Sequence, residues 1–167
     1  MADRAETELE WDGPDMGLHE ECGVFGVYDP AGGCAQTTYY GLYALQHRGQ
    51  EACGIATIND REQSFYKDVG LVSEVFDKQT LQRLNGTMAV GHVRYATTGA
   101  RERENAQPLT IKYVKGTLAV VHNGNLVGVD QLRQKFEYQG AIFHTTSDSE
   151  LIAYAIAQAR LRCGSVE

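Results

Sequence analysis

The chain has few of the features that mark membrane-bound, disulfide-stabilised or nucleic-acid-binding proteins. Its 167 residues contain no apolar run close to the roughly 18 residues that are needed to cross a bilayer. Its four cysteines form no C-x-x-C pair, so neither a four-cysteine metal site nor a disulfide framework is predicted. No G-x-G-x-x-G or Walker-type glycine loop follows a strand pattern, which gives no signal for a nucleotide site. We expect a cytoplasmic protein.

The negative charge is concentrated in the first 21 residues. Eight of the 22 acidic residues and only one of the 15 Lys and Arg residues lie there, so that residues 22–167 are neutral although the whole chain carries a net charge of -7. The absence of a basic face argues against a nucleic-acid partner. The segment is acidic and lacks apolar periodicity, unlike a secretory signal, and we expect a disordered leader. The folded domain is then predicted to span residues 22–167.

The hydrophobic pattern predicts about six short strands and three longer helices, several of the strands being joined by hairpins. This order favours an α+β fold in which helices pack on antiparallel sheets over a parallel, doubly wound sheet. The predicted strands cover residues 23–28, 54–58, 64–67, 88–95, 109–114 and 117–122. The predicted helices cover 37–46, 73–84 (one or two short ones), 130–138 and a last one to about 161, preceded by a Ser-x-x-Glu capping box at Ser147.

Cys22 stands between the acidic leader and the first predicted strand. A thiol acts as a nucleophile only as the thiolate, and it needs a base nearby. If the chain is cut after Glu21, the new α-amino group, with an ordinary pKa of about 7.7–8.0, lies on the same residue. The structural alternative is a small buried residue at the start of a strand. The position of Cys22 therefore suggests a nucleophile that becomes the first residue of the mature chain.

Four other features have both a structural and a functional interpretation. Asn123-Gly124 is either a hairpin turn or an oxyanion hole made of a side-chain amide and a backbone N–H. Arg94 is either a solvated strand end or a bidentate ligand for a carboxylate. Asp148 either favours the N-terminus of the last helix or receives a substrate ammonium group. Arg48 is most simply a cation at the C-terminus of the first helix.

Five aromatic and imidazole side chains are interpreted as core residues. His92 and His122 lie inside apolar strand patterns and are expected to be buried with satisfied hydrogen bonds and not to act as ligands. Tyr39, Tyr40 and Tyr43 of the first predicted helix are expected in the core and not on a binding surface.

Taken together, the segments of the chain resemble the amidophosphoribosyltransferase family, also named glutamine phosphoribosylpyrophosphate amidotransferase. The resemblance runs from about His19 to the end of the chain in six collinear motifs, which makes it highly specific. The motifs are EECGVFG at residues 20–26, GLYALQHRGQEACGIA at 41–56, GHVRYATTG at 91–99, NAQP at 105–108, VVHNGNLV at 120–127 and TTSDSE at 145–150.

The resemblance implies a type 2 glutamine amidotransferase domain with the N-terminal-nucleophile hydrolase fold, in which two antiparallel sheets lie between helical layers. It implies that removal of a propeptide, residues 1–21, frees Cys22. The cysteine would then attack the side-chain amide of glutamine, release ammonia and form a thioester that water hydrolyses. The remaining implied site residues are Asn123 and Gly124 in the oxyanion hole, Arg94 and the Thr97 backbone at the α-carboxylate, Asp148 at the α-amino group, and Arg48 in support of the nucleophile.

Members of this family are longer than 167 residues, so the resemblance also implies an incomplete glutaminase domain that lacks its last strands. The phosphoribosyltransferase domain, a magnesium site and the iron–sulfur cluster of some members are expected only with the absent C-terminal part, and no cofactor is expected in this segment. Cys34, Cys53 and Cys163 are not assigned to a cluster. A homo-oligomer is expected at full length.

Two rival functions stay open at the level of sequence. The first is a truncated, noncatalytic fragment or precursor that acts at most as a glutamine-binding or association module. The second is an N-terminal-nucleophile amidase with another amide substrate, although Arg94 and Asp148 suit a free amino acid. Relatives such as glucosamine-6-phosphate synthase and asparagine synthetase carry the cysteine directly after the initiator methionine, and the long leader argues against both.

Overall fold

The computed structural model describes residues 22–59, 62–95 and 103–163; the predicted leader, residues 1–21, and Thr97 lie outside these ranges. The described part contains six strands and five helices, as well as single 3₁₀ turns at Gln46–Arg48 and Arg103–Asn105. The strands are β1 (Gly23–Tyr28), β2 (Ala52–Asn59), β3 (Glu62–Val69), β4 (Met88–Arg94), β5 (Leu109–Tyr113) and β6 (Gly116–Val120). The helices are α1 (Cys34–Ala44), α2 (Val72–Val75), α3 (Lys78–Arg83), α4 (Val129–Tyr138) and α5 (Ser149–Arg162).

Four strands form one antiparallel sheet in the order β1-β4-β2-β3. Side chains alternate between the two faces of a strand, and on one face the apolar positions pack under α1 and α2. Leu42 of α1, Ile55 of β2 and Val93 of β4 are fully buried in this core. Burying one such side chain stabilises the fold by about 1.5–3 kcal/mol, so this face holds the helices on the sheet.

The hairpin β5–β6 forms a second, two-stranded antiparallel sheet, and α5 packs on it. Phe136 of α4 and Leu151 of α5 meet in a second apolar cluster, which Phe143 and Tyr154 extend. The first sheet carries α1 on one face, and on the other face the chain that leads into β5 contacts Gly54. The order is therefore helix, sheet, sheet, helix, and the predicted α+β fold with antiparallel sheets is confirmed.

Two local predictions are wrong. Of the three tyrosines predicted in the core, Tyr39 packs against it, but Tyr40 and Tyr43 are exposed. The buried face of α1 is formed instead by Ala35, Thr38 and Leu42 at helical spacing.

The predicted capping box at Ser147 also does not form. The Glu150 carboxylate instead accepts N–H groups of His144 and Thr145, and the Ser147 hydroxyl accepts the N–H of Ser149. Glu150 thus fixes the loop before α5, while Asp148 occupies the N-cap position without a side-chain cap bond.

The described residues leave part of the four-stranded sheet uncovered on the face opposite α1. Val24, Tyr28, Phe65 and Met88 are 44%, 66%, 49% and 46% exposed there. Side chains of this size are ordinarily buried, and their grouping makes an apolar surface. No helix within residues 22–59, 62–95 and 103–163 is both long and apolar enough to cross a membrane.

Candidate active site

The first sheet places Cys22 beside the end of β4. Cys22 precedes β1 by one residue, and the antiparallel pairing of β1 with β4 brings it next to Tyr95. The Tyr95 N–H donates to the Cys22 sulfur at 3.3 Å, and the sulfur lies 3.7 Å from the Tyr95 carbonyl oxygen. The thiol is half-buried at the wall of a cavity, where it is both held in place and accessible.

Two side chains hold the backbone carbonyl of Cys22. Asn123 donates from Nδ2 at 2.7 Å, and Arg48 donates from Nε at 3.4 Å. An asparagine amide has two hydrogens, so one N–H of Asn123 is left for another acceptor. The amide therefore lies next to the nucleophile, in a position from which it can reach an atom bonded to the sulfur.

Asn123-Gly124 lies in the loop between β6 and α4 and is not the turn of a hairpin, so the turn interpretation is wrong. The turn at Val114 and Lys115 closes the β5–β6 hairpin instead. Gly124 has φ of 146°, a conformation that residues with a Cβ rarely adopt. A Cβ there would also lie 3.2 Å from Nε2 of His122. A residue with a Cβ would therefore be strained at position 124, whereas glycine adopts this backbone conformation in the cavity wall without strain.

Arg94 forms a largely buried ion pair at the same end of β4 as Cys22. Its Nη1 lies 3.2 Å from Oε1 of Glu51, and the two side chains are 18% and 6% exposed. The other carboxylate oxygen of Glu51 has no hydrogen-bond partner among the described residues. The pair directs the guanidinium along the cavity wall, with donors left over for an anion.

Asp148 lines the same cavity and lies directly before α5. Its Oδ2 accepts the Leu126 N–H at 2.7 Å, and its Oδ1 lies 4.0 Å from Nδ1 of His122. Because the carboxylate makes no cap bond to its own helix, it is available to a cation in the cavity as well as to the helix dipole.

One cavity of about 670 Å³ joins these groups, and this volume is within the usual range for small-molecule sites. It brings together five of the residues singled out from the sequence: Cys22, Arg94, Asn123, Gly124 and Asp148. Arg48 contacts Cys22 from outside the lining. The cavity offers a cationic group, an anionic group and a nucleophile, which complement a zwitterionic amino acid with an electrophilic side chain.

Sequence reasoning missed several residues that line this cavity or support its walls. Glu51 and Gln107 lie within two of the family-like motifs, but no local signal gave them a role. His122 was expected in the core of a strand; it lies beyond β6 and lines the cavity. His92 also belongs to the lining although it is buried, and burial lowers its pKa to about 4, with a smaller contribution from the charge of Arg94.

The other cysteines take no part in the cavity. Cys34 and Cys53 are buried, and burial raises the pKa of the Cys53 thiol to about 12, helped by the carboxylates of Asp68 and Glu74. Such a thiol stays protonated and unreactive near neutral pH. Across the described ranges, no three His, Cys, Asp or Glu side chains are grouped as ligands for a metal ion.

Comparisons with known proteins agree on one family. The sequence model of a family described as "Glutamine amidotransferase domain" matches residues 76–164. A relative from Synechocystis sp., named amidophosphoribosyltransferase, is 52% identical over 90% of this chain and 32% of its own length. A Bacillus subtilis protein of the same name is 49% identical over 84% of this chain and 29% of its own length. The chain thus spans about a third of the length of these relatives.

Solved structures give the same result. A structure described as the allosteric regulatory enzyme of purine biosynthesis matches with a TM-score of 0.77 and 45% identity, over 86% of this chain and 30% of that one. The B. subtilis glutamine phosphoribosylpyrophosphate amidotransferase, solved with ADP and GMP, matches with a TM-score of 0.70 and 42% identity, over 88% and 30%.

Proposed function

The chain belongs to the glutamine amidotransferase domain family, and on that premise we propose that it is the glutaminase portion of an amidophosphoribosyltransferase. Its reaction is the release of ammonia from glutamine. In the longer protein the ammonia serves the synthesis of phosphoribosylamine, the first step of de novo purine biosynthesis. The relatives' names and the description of the solved structure support this assignment.

We propose that the substrate binds through its two charged groups. Arg94 pairs with the α-carboxylate of glutamine, and Asp148 pairs with the α-ammonium group. Both line the same cavity as Cys22, so the side-chain amide of the substrate can extend towards the sulfur. The Thr97 backbone, predicted to assist at the carboxylate, lies outside the described residues.

The first chemical step forms the thioester. Once Cys22 is the first residue, its α-amino group takes the proton of the thiol, and the sulfur attacks the amide carbon. Asn123 Nδ2 and the Gly124 N–H donate to the oxygen of the tetrahedral intermediate. The proton then passes to the leaving nitrogen, the C–N bond breaks, and ammonia departs. Arg48 holds the Cys22 carbonyl throughout.

The second step frees the enzyme. The α-amino group removes a proton from a water molecule, which attacks the thioester carbon, and the same two donors stabilise the second oxyanion. The C–S bond breaks, glutamate leaves, and the sulfur is reprotonated. While Glu21 remains attached, the nitrogen of Cys22 is an amide and cannot act as this base.

The observation that carries the proposal is the bond from Asn123 Nδ2 to the Cys22 carbonyl in a cavity that also contains Arg94 and Asp148. The test is N-terminal sequencing of the expressed protein together with an assay of ammonia release. We expect a mature N-terminus at Cys22, loss of activity in Cys22→Ser, and unchanged activity in Cys163→Ser, which changes an exposed cysteine. An active protein that keeps residues 1–21 would contradict the free-amine mechanism.

The noncatalytic alternative has one observation in its favour, the uncovered apolar face at Val24, Tyr28, Phe65 and Met88. An association module would use this face. It would show concentration-dependent self-association in sedimentation, no glutamine turnover after processing and no thermal shift with glutamine. Turnover that depends on Cys22 would dismiss it.

The remaining partners are part of the proposal. In the longer protein, the phosphoribosyltransferase domain receives the ammonia, and magnesium and any iron–sulfur cluster belong to that part. A homo-oligomer at full length and a cytoplasmic location stay predictions from the sequence.

A further inference from the structure

The side chain of Gln107 lines the cavity and links two other parts of its wall, the loop at His122 and the start of α5 at Ser149. Its Oε1 accepts the N–H of His122 at 2.6 Å, and its Nε2 donates to the carbonyl of the same residue at 3.2 Å. Nε2 also donates to the hydroxyl of Ser149 at 3.2 Å. Gln107 and Ser149 are buried, so these bonds are shielded from water.

The two hydrogen-bond partners of Gln107, His122 and Ser149, are each adjacent in sequence to residues assigned to the reaction. His122 immediately precedes Asn123 and Gly124, and Ser149 immediately follows Asp148. The Ser149 hydroxyl donates to Oδ1 of Asp148 at 3.4 Å. Its oxygen also lies 3.1 Å from Nδ1 of His122. One amide thus fixes the backbone before the oxyanion donors and, through one hydroxyl, the carboxylate assigned to the ammonium group.

An amide is the only side chain of this length that satisfies all three partners. Both N–H groups of Gln107 are used as donors, and its oxygen accepts. A glutamate would oppose the His122 carbonyl with a second acceptor, and a methionine would leave the N–H and the carbonyl of His122 without these partners.

The segment that carries Gln107 is itself fastened to the first sheet. The ammonium group of Lys67 donates to the carbonyls of Ala106 at 2.5 Å and Glu104 at 3.3 Å. On β2, a Cβ at Gly54 would lie 2.2 Å from the Gln107 carbonyl oxygen, so only glycine allows the segment to lie directly on the sheet. The backbone of Gln107 is therefore held in place on the first sheet, which fixes the position from which its side chain reaches His122 and Ser149.

We propose that Gln107 is a positioning residue for the glutaminase reaction, which sets the oxyanion donors of the Asn123-Gly124 loop and, through Ser149, the carboxylate of Asp148. The inference rests on the proposed function. It assigns different effects to the two links: the His122 link governs the rate of the chemical step, and the Ser149 link governs the affinity for the amino acid.

The test uses the protein that begins at Cys22. It measures the alkylation of Cys22 by 6-diazo-5-oxo-L-norleucine, a glutamine analogue, by intact mass as a function of analogue concentration. Gln107→Met is expected to lower the maximal rate by roughly 10- to 100-fold, the scale of a small misplacement of reacting groups. Ser149→Ala is expected to raise the half-saturating concentration several-fold while the maximal rate is kept. Gln139→Met is the matched control, because it removes an exposed glutamine–glutamine bond to Gln158.

Iodoacetamide labelling separates positioning from general damage, because this reagent uses neither the oxyanion donors nor the amino-acid pocket. We expect Cys22 to react with it equally in the wild type and in Gln107→Met. The buried Cys34 and Cys53 should stay unlabelled in both. If these two thiols are labelled in Gln107→Met, that variant is unfolded, and the test depends on Ser149→Ala. A half-saturating concentration of the glutamine analogue that is the same in Ser149→Ala as in the wild type would then overturn the inference.

The failures are distinguishable. A wild type that reacts with iodoacetamide at Cys22 but not with the glutamine analogue would overturn the proposed function and the inference with it. A wild type that reacts with the analogue, beside a folded Gln107→Met that reacts at the same maximal rate, would overturn the inference alone.

Discussion

Asn123 offers the sharpest test of the proposed chemistry, because its side chain has two separable roles. One N–H holds the Cys22 carbonyl at 2.7 Å, and the other is assigned to the oxyanion. Loss of an ordinary hydrogen bond costs about 0.5–1.5 kcal/mol, which is roughly a tenfold effect at most. Loss of an oxyanion donor costs about 2.7–4 kcal/mol, or roughly 10²–10³ in kcat. The magnitude therefore decides between a structural and a catalytic role.

The change is Asn123→Ala, and the assay is ammonia release from saturating glutamine by the protein that begins at Cys22. We expect kcat to fall by roughly 10²–10³ while KM changes little, because the donor acts on charge that develops only in the transition state. Asn125→Ala is the control; Asn125 is also exposed at the cavity wall. A decrease of less than tenfold in Asn123→Ala, or one equal to that of Asn125→Ala, would refute the oxyanion role.

Three further predictions concern stability and reactivity. Because burial lowers the folded-state pKa of His92 from 6.5 to about 4, the unfolded chain binds a proton first, and the free energy of unfolding should fall by about 3 kcal/mol between pH 6.5 and pH 4. Urea titrations should show a weaker dependence of stability on pH in His92→Leu, and equal dependence in the two proteins would contradict this. Arg94→Ala should lower the free energy of unfolding by on the order of 3 kcal/mol, because Glu51 is left buried and unpaired. The double variant with Glu51→Gln should regain most of this stability in urea titrations, and no regain would exclude the ion pair as the cause. Iodoacetamide near neutral pH should label Cys163 and leave Cys53 unmodified; mass spectrometry of peptides checks this, and early labelling of Cys53 would contradict its burial.

Much of the fold follows from local sequence signals. β1 has the predicted bounds, and the other strands and longer helices start or end within a few residues of their predicted positions. The apolar alternation in strands and the helical spacing in α5 are properties of short segments, so they can be read without knowing the partners. The resemblance to one family then supplied Cys22, Asn123 and Asp148 as members of one site.

The supporting contacts could not be predicted in the same way. The Glu51–Arg94 pair depends on the register of β2 with β4, which aligns Ala52 with Arg94. The bonds of Gln107 reach 15 and 42 residues along the chain, and no local pattern specifies a partner at such a distance. The prediction for Tyr40 and Tyr43 of α1 is wrong because sequence spacing gives an apolar face without showing which part of it the sheet covers.

The contacts of Cys22 also set an order of events during synthesis. Two of its three hydrogen-bond partners among the described residues, Tyr95 and Asn123, follow it by 73 and 101 residues. At about 5–20 residues per second, the ribosome needs on the order of 5–20 s to add the second of them. Until β4 has been made, β1 lacks its one neighbour among the described strands, and until Asn123 has been added the Cys22 carbonyl lacks its shortest hydrogen bond. The nascent chain therefore presents an unpaired strand to chaperones before it can present a working nucleophile to glutamine.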